Sequence, residues 1–292
     1  MKKKILSLLP VTATALICCI LLLLVYINQE NSFVFIENTG MFRDSADIKE
    51  TNISGTNTVA ISQLENTPNV TFDQSLMLIN TKYKLDDGFI PSVSEYKDTT
   101  VFMNNCVIDA FASLSSNVKE KFGQKLYVSS DLRDYEEQKE LYEEDPTTAT
   151  VPGASEHQSG LALDVYAAYY AGDAFLKSPI GRYVNSHCHE YGFIIRYPSY
   201  GEDITGIRFE PWHIRYVGAP HSEIIYGNML TLEEYILSFE LNKWYSYDGY
   251  LISRQTADNN SLQIPEEYES CIISPDNTGA YIVTVKQKNA FN

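Results

Sequence analysis

The stretch SEHQSGLALDV, residues 155–165, sets a polar loop directly against an apolar alternation. Leu161, Leu163 and Val165 fall on one side of an extended chain, and Ala162, Asp164 and Tyr166 on the other, which is the two-residue period of a strand. His157 therefore lies in the loop, and Asp164 lies on the polar face of the strand that the loop enters. A carboxylate at such a place needs a metal, an arginine or hydrogen bonds, because burying it unpaired is costly.

The flanking segments mix helix and strand. In VFMNNCVIDAFASLSSNVKEKFG, residues Val107, Phe111, Leu114, Val118 and Phe122 recur at helical spacing, and Gly123 is a natural stop. KLYVSS (125–130) reads as a strand, and DYEEQKELYEED opens on a capping box of Asp134 and Glu137 and ends before Pro146. PIGRYVNSHCHEYG predicts a helix stopped at Gly192, followed by a strand in GFIIRYP. GIRFEPWHIRYVG predicts strand, break, strand, because Pro211 cannot donate to a ladder. TLEEYILSFEL (231–241) predicts a helix, and the remainder carries short aromatic strand-like pieces and a PDNTG turn at 275–279. This order predicts an α+β fold, a small antiparallel sheet flanked by helices.

Glu210 and His213 stand in EPWH, at the proline break. Residues three apart on a regular strand face opposite sides, so these two converge only if the chain bends between them. His157, Asp164 and His213 with Glu210 match a catalytic zinc site: three protein ligands, an open fourth position and a carboxylate base. The H-x6-D spacing is a weak signal alone, and a single histidine is more often structural than a ligand, so spacing leaves both readings open. In HCH (187–189), residues one and two apart do not share a helix face, so this reads as helix surface. His221 reads as solvated.

The termini add organisation. MKKK precedes 23 uncharged residues, 5–27, long enough at about 1.5 Å per residue to cross a bilayer core of roughly 30 Å. The next basic residue is Arg43, so the positive-inside rule places the N-terminus in the cytoplasm and the rest outside. The run ends in LLLLVYINQ rather than small residues, which favours an anchor over a cleaved signal peptide. The expected organisation is a cytoplasmic tip and transmembrane anchor at 1–28, a disordered or extended stalk at 29–75, a domain at 76–240 and a small β-rich tail at 241–292. A net charge of −16 argues against nucleic-acid binding, which needs clustered Lys and Arg. Of five cysteines, Cys18 and Cys19 fall in the anchor, and Cys106, Cys188 and Cys271 form no disulfide framework or zinc-finger spacing. Free thiols, or at most one bridge, are expected.

Five separated pieces carry a resemblance: MLINTKYKLDDGFIP (77–91), SSDLRDYEEQKELY (129–142), PGASEHQSGLALDV (152–165), YGFIIRYP (191–198) and FEPWHIRYVG (209–218). In this order they resemble the VanY-type zinc D,D-carboxypeptidases, which trim the terminal D-Ala of peptidoglycan stem peptides. The family pattern S-x-H-x6-D with E-x-W-H implies zinc ligands at His157, Asp164 and His213 and a general base at Glu210. It also implies a substrate-handling arginine at Arg133, and pocket positions at Ser155 and Gln138. The family's usual S-G-Y-R-S reads S-D-L-R-D here, so Asp131, Leu132 and Asp134 depart from it and set extra carboxylates beside Arg133. Trp212 is expected beside the site, and Arg196 and Arg215 as structural residues. The implied substrate is a stem peptide or its lipid-linked precursor, in wall maturation or glycopeptide resistance. An L,D-carboxypeptidase shares most of these motifs, and a silent wall-binding domain would share the fold.

Overall fold

The computed structural model describes residues 14, 16–19, 28–147 and 149–288. The chain divides into two compact units, 1–42 and 43–292. In the first, a helix over Gln29–Thr39 ends at Gly40, whose φ of 62° gives the left-handed C-cap that glycine adopts without strain. The anchor expected over 5–27 lies outside the described residues apart from residues 14 and 16–19. Among the described residues, no helix is long and apolar enough to cross a membrane.

The second unit contains fourteen described strands. They are β1 (Lys49–Thr51), β2 (Thr56–Ala60), β3 (Val70–Phe72), β4 (Val93–Glu95), β5 (Phe102–Asn104), β6 (Tyr127–Ser130), β7 (Ala162–Tyr166), β8 (Phe193–Ile195), β9 (His213–Tyr216), β10 (Trp244–Tyr247), β11 (Tyr250–Gln255), β12 (Ser261–Pro265), β13 (Ser270–Pro275) and β14 (Tyr281–Lys286).

One antiparallel sheet, in the order β6-β7-β9-β8, forms the centre of the unit. Its apolar face is the alternation read above: Leu161, Leu163 and Val165 are fully buried. They pack with Ile214 and Phe193 against Phe111, Leu114 and Val118 of the Ile108–Phe122 helix. Each such side chain contributes about 1.5–3 kcal/mol on burial, so the face commits the strand's orientation. The helix stops at Gly123 with φ 67°. The capping box at Asp134 is present in both of its hydrogen bonds and starts the Tyr135–Glu144 helix.

Several expectations are corrected. The segment expected as a stalk contributes three strands: β1 pairs with β10, β2 with β12, and β3 with β13. The tail is therefore not a separate appendage. It joins β1 and β3 in a six-stranded sheet, β1-β10-β11-β14-β13-β3, and β2 in a two-stranded sheet with β12. The segment lacked a sustained period because its strands are only three to five residues long and half exposed. Ile252 and Ile282 of this sheet share a core with Leu76, Leu78, Ile194, Val217, Tyr235 and Ile236.

His221 is buried, not solvated: its Nδ1 lies 2.6 Å from Tyr235 Oη and its Nε2 2.8 Å from Thr284 Oγ1 on β14. Burial lowers its pKa to about 3. HCH is not a uniform helix surface either, because the helix ends at His187 and Cys188 enters the core. His187 bonds Glu190 at 2.8 Å, and His189 stacks on Tyr226. All five cysteines are free thiols. Finally, residues 207–210 form no strand; β9 begins only at His213.

Candidate active site

The loop that carries His157 is shaped by two glycines. Gly153 (φ 85°) turns the chain and donates its N–H to Gln158 Oε1 at 2.7 Å. A short 3-10 turn, Glu156–Ser159, then ends at Gly160 with φ 67°. A Cβ on Gly160 would lie 2.8 Å from Asn104 N and 2.9 Å from Val93 Cγ1, so only glycine allows the hairpin β4–β5 to approach. The turn leaves His157 buried, with Nδ1 2.8 Å from the Asp131 carbonyl. A carbonyl only accepts, so Nδ1 carries the proton, and the Nε2 lone pair faces Asp164 Oδ2 at 3.5 Å.

Asp164 and His213 come together through sheet register. They are directly opposed residues on β7 and β9, on the face away from Leu163 and Ile214. His213 Nδ1 lies 3.1 Å from Asp164 Oδ1 and 3.8 Å from Glu210 Oε2. Pro211 and Trp212 form a turn closed by the His213 N–H donating to the Glu210 carbonyl at 3.1 Å. That turn, in place of the expected strand pair, puts Glu210 and His213 on one side.

Arg133 enters from the end of β6. Its Nη1 donates to Gln138 Oε1 at 2.8 Å and its Nη2 to Ser130 Oγ at 3.1 Å, while its main chain donates to the His157 carbonyl. Gln138 is itself anchored on the Thr150 carbonyl. All seven residues singled out from the sequence (Arg133, Gln138, Ser155, His157, Asp164, Glu210 and His213) line one cleft with Trp212, Tyr197 and Ile207. Its volume is about 150 Å³.

The residue missed from the sequence is Glu156. Its carboxylate is wholly buried, and Oε1 accepts from Arg196 Nε at 2.7 Å and Arg215 Nη1 at 2.6 Å. Arg196 also forks onto Glu233 at 2.6 and 2.8 Å, and Arg215 donates to the carbonyls of Ser75 and Met77. The two arginines are structural, as expected, but they buttress a carboxylate whose Oε2 stands 3.6 Å behind His213 Nε2. Nothing local in SEHQSG marks this, since both arginines arrive from later strands.

The electrostatics ask for a cation. Burial opposes ionisation of Asp164, but the two imidazoles outweigh it and hold the carboxyl well below its usual range. Burial lowers His213, yet Asp164 and Glu156 outweigh that and raise it to about 9. Burial lowers His157 and raises Glu210. Asp164 Oδ1 is buried with no hydrogen-bond partner. One ligand atom each from His157, Asp164 and His213 lies within 4.8 Å of the others, the one such cluster among the described residues. Two nitrogens and a carboxylate oxygen are a donor set that zinc accepts, and the unpartnered oxygen fits an ion at their centre.

A family model for VanY D-alanyl-D-alanine carboxypeptidase matches residues 100–219. A D-alanyl-D-alanine carboxypeptidase of Enterococcus faecium is 32% identical over 239 residues, covering 73% of this chain and 76% of that protein. The chain belongs to the VanY family of carboxypeptidases. Among solved structures, the VanY-family chain is similar to the vancomycin-resistance D,D-dipeptidase VanXYg in complex with a D-Ala-D-Ala phosphinate analogue. That match has a TM-score of 0.64 and 26% identity and covers 82% of this chain and 99% of the other. The LD-carboxypeptidase LdcB matches with a TM-score of 0.53 and 28% identity over 68% of this chain and 99% of its own.

Proposed function

We propose that this protein is a zinc-dependent D,D-carboxypeptidase that removes the C-terminal D-Ala from peptidoglycan stem pentapeptides. The observation that carries the reading is the convergence of His157, Asp164 and His213 on one point, with Glu210 beside them in the same cleft. A zinc ion held by these three side chains would supply a Lewis acid and lower the pKa of a bound water to about 7. Glu210, lifted by burial and 3.8 Å from His213 Nδ1, is the base that takes a proton at Oε2 and returns it to the departing D-Ala amine. Arg133 presents a fork that pairs with the terminal carboxylate or the developing oxyanion, and Gln138 and Ser130 hold that fork in place. Ser155 and Gln138 line the substrate side of the cleft.

The uncharged run at 5–27 and the lysines before it support a single-pass anchor with the catalytic unit outside the cell, where stem peptides are. In that place the enzyme serves wall maturation or, by removing D-Ala-D-Ala termini, glycopeptide resistance. The likeness to LdcB keeps an L,D-carboxypeptidase as the second reading. The test is to offer the purified chain a pentapeptide ending in D-Ala-D-Ala and a tetrapeptide ending in one D-Ala. D-Ala release from the pentapeptide, abolished by a strong chelator and restored by zinc, is the expected result. Release from the tetrapeptide alone would move the assignment to the L,D class, and indifference to the chelator would remove the metal.

A further inference from the structure

We infer that Glu156 is a positioning residue that fixes which nitrogen of His213 carries the proton, and hence which one faces the metal site. The inference rests on the zinc reading above and specifies how the chain prepares its ligands.

The two histidines reach the cleft through different ring atoms. His157 is fixed by the Asp131 carbonyl on Nδ1 and turns Nε2 toward Asp164. His213 is set the other way round. Its Nδ1 faces Asp164 Oδ1 at 3.1 Å, and its Nε2 faces Glu156 Oε2 at 3.6 Å. Both of these facing atoms are buried, and neither has a hydrogen-bond partner elsewhere. A neutral imidazole carries one N–H, and a carboxylate only accepts. Once an ion takes the Nδ1 lone pair and the Asp164 oxygen opposite it, Glu156 is the acceptor left for the ring, and it holds the proton at Nε2. Acceptors behind the ligating histidines of a metal site act in this way.

Glu156 cannot turn away from this contact. Its other oxygen is gripped by Arg196 and Arg215 at 2.7 and 2.6 Å. Arg196 is tied in turn to Glu233, and Arg215 to the carbonyls of Ser75 and Met77. Arg215 has room because its ladder partner on β7 is Ala162. Three segments remote in sequence thus hold one oxygen against one ring nitrogen. Glutamine at 156 keeps the volume but must aim its amide N–H2 either at the arginines or at His213 Nε2–H. In both cases, a donor meets a donor.

The experiment uses the full chain with ¹⁵N in its five histidines, loaded with one equivalent of zinc, and reads ring nitrogens by long-range ¹H–¹⁵N correlation. The expected result is metal on Nε2 of His157 but on Nδ1 of His213, with the His213 proton on Nε2. Zinc competition against a chelating dye should show Glu156→Gln binding about 10- to 100-fold more weakly, with unchanged circular dichroism. A His213 proton on Nδ1 in the zinc-loaded wild type overturns the inference, as does a folded Glu156→Gln that holds zinc within twofold of the wild type. If Glu156→Gln does not fold, the wild-type spectrum decides alone. A wild type that takes up no zinc ends the metal reading and this inference with it, and zinc stoichiometry separates that outcome from a wrong tautomer.

Discussion

On the buried side of the His213 ring, Glu156, Arg196, Arg215 and Glu233 meet as two carboxylates and two guanidiniums at 2.6 to 2.8 Å. On the cleft side, Asp164 and Glu210 face His157 and His213, and among the described residues neither carboxylate is bonded to a guanidinium or ammonium group. The first cluster neutralises itself, so its charges can be kept dry. In the second, Arg133 lines the same cleft but bonds neither carboxylate, so the cluster is completed by a proton or an added ion. The difference teaches where to look for chemistry: the incomplete cluster is the reactive one, and the complete cluster is what holds it still.

Substitutions that act on one cluster and spare the other test this contrast. Glu210→Gln should lower kcat by about 10²- to 10⁴-fold while zinc content and thermal stability stay near the wild type. A normal kcat in that variant would take Glu210 out of the base role. Glu233→Ala should do the reverse. Leaving Arg196 half-paired in the core costs about 3 to 5 kcal/mol, read as a lower urea midpoint, with kcat of the folded enzyme little changed. Equal losses in both readouts would mean the two clusters are not separable.

Arg133→Lys should reduce kcat/KM about 10²- to 10³-fold, because a point charge cannot replace the fork. A loss confined to KM points to the terminal carboxylate, and a loss in kcat to the oxyanion. The smallest effect concerns the seam between the central sheet's layer and the terminal strands. His221 is held neutral with its pKa depressed to about 3, against an ordinary 6.5. The unfolded chain therefore binds a proton first, and this contribution to stability is full above about 6.5. It is lost at about 1.4 kcal/mol per pH unit as pH falls from there toward 3. Urea midpoints of the wild type and His221→Asn between pH 7 and 5 should converge; parallel curves would remove His221 from the acid response.

Much of the cleft was legible before the fold. The alternation at 161–166, the helix ending at Gly123 and the capping box at Asp134 are local patterns, and each sits where its period or end signal puts it. His157, Asp164, Glu210, His213, Arg133, Gln138 and Ser155 were singled out by spacing and by family motifs, and they line one cleft because sheet register sets Asp164 opposite His213, 49 positions away. The terminal strands were not legible. β1 and β10 pair at Lys49 and Ser246, nearly 200 residues apart, and β1 is a three-residue piece with no period to detect. His221 looked solvated because its partners, Tyr235 and Thr284, come from two other elements.

Residue order alone marked the Ile108–Phe122 and Tyr135–Glu144 helices and the strands β6, β7 and β8, because periodicity and caps act over a few neighbouring residues. It could not settle Glu156. Whether a glutamate beside a ligand is solvated or sealed depends on Arg196 and Arg215, which lie 40 and 59 positions away. A buried charge is tolerable only once such partners have arrived, and they arrive only when the sheet has closed around it.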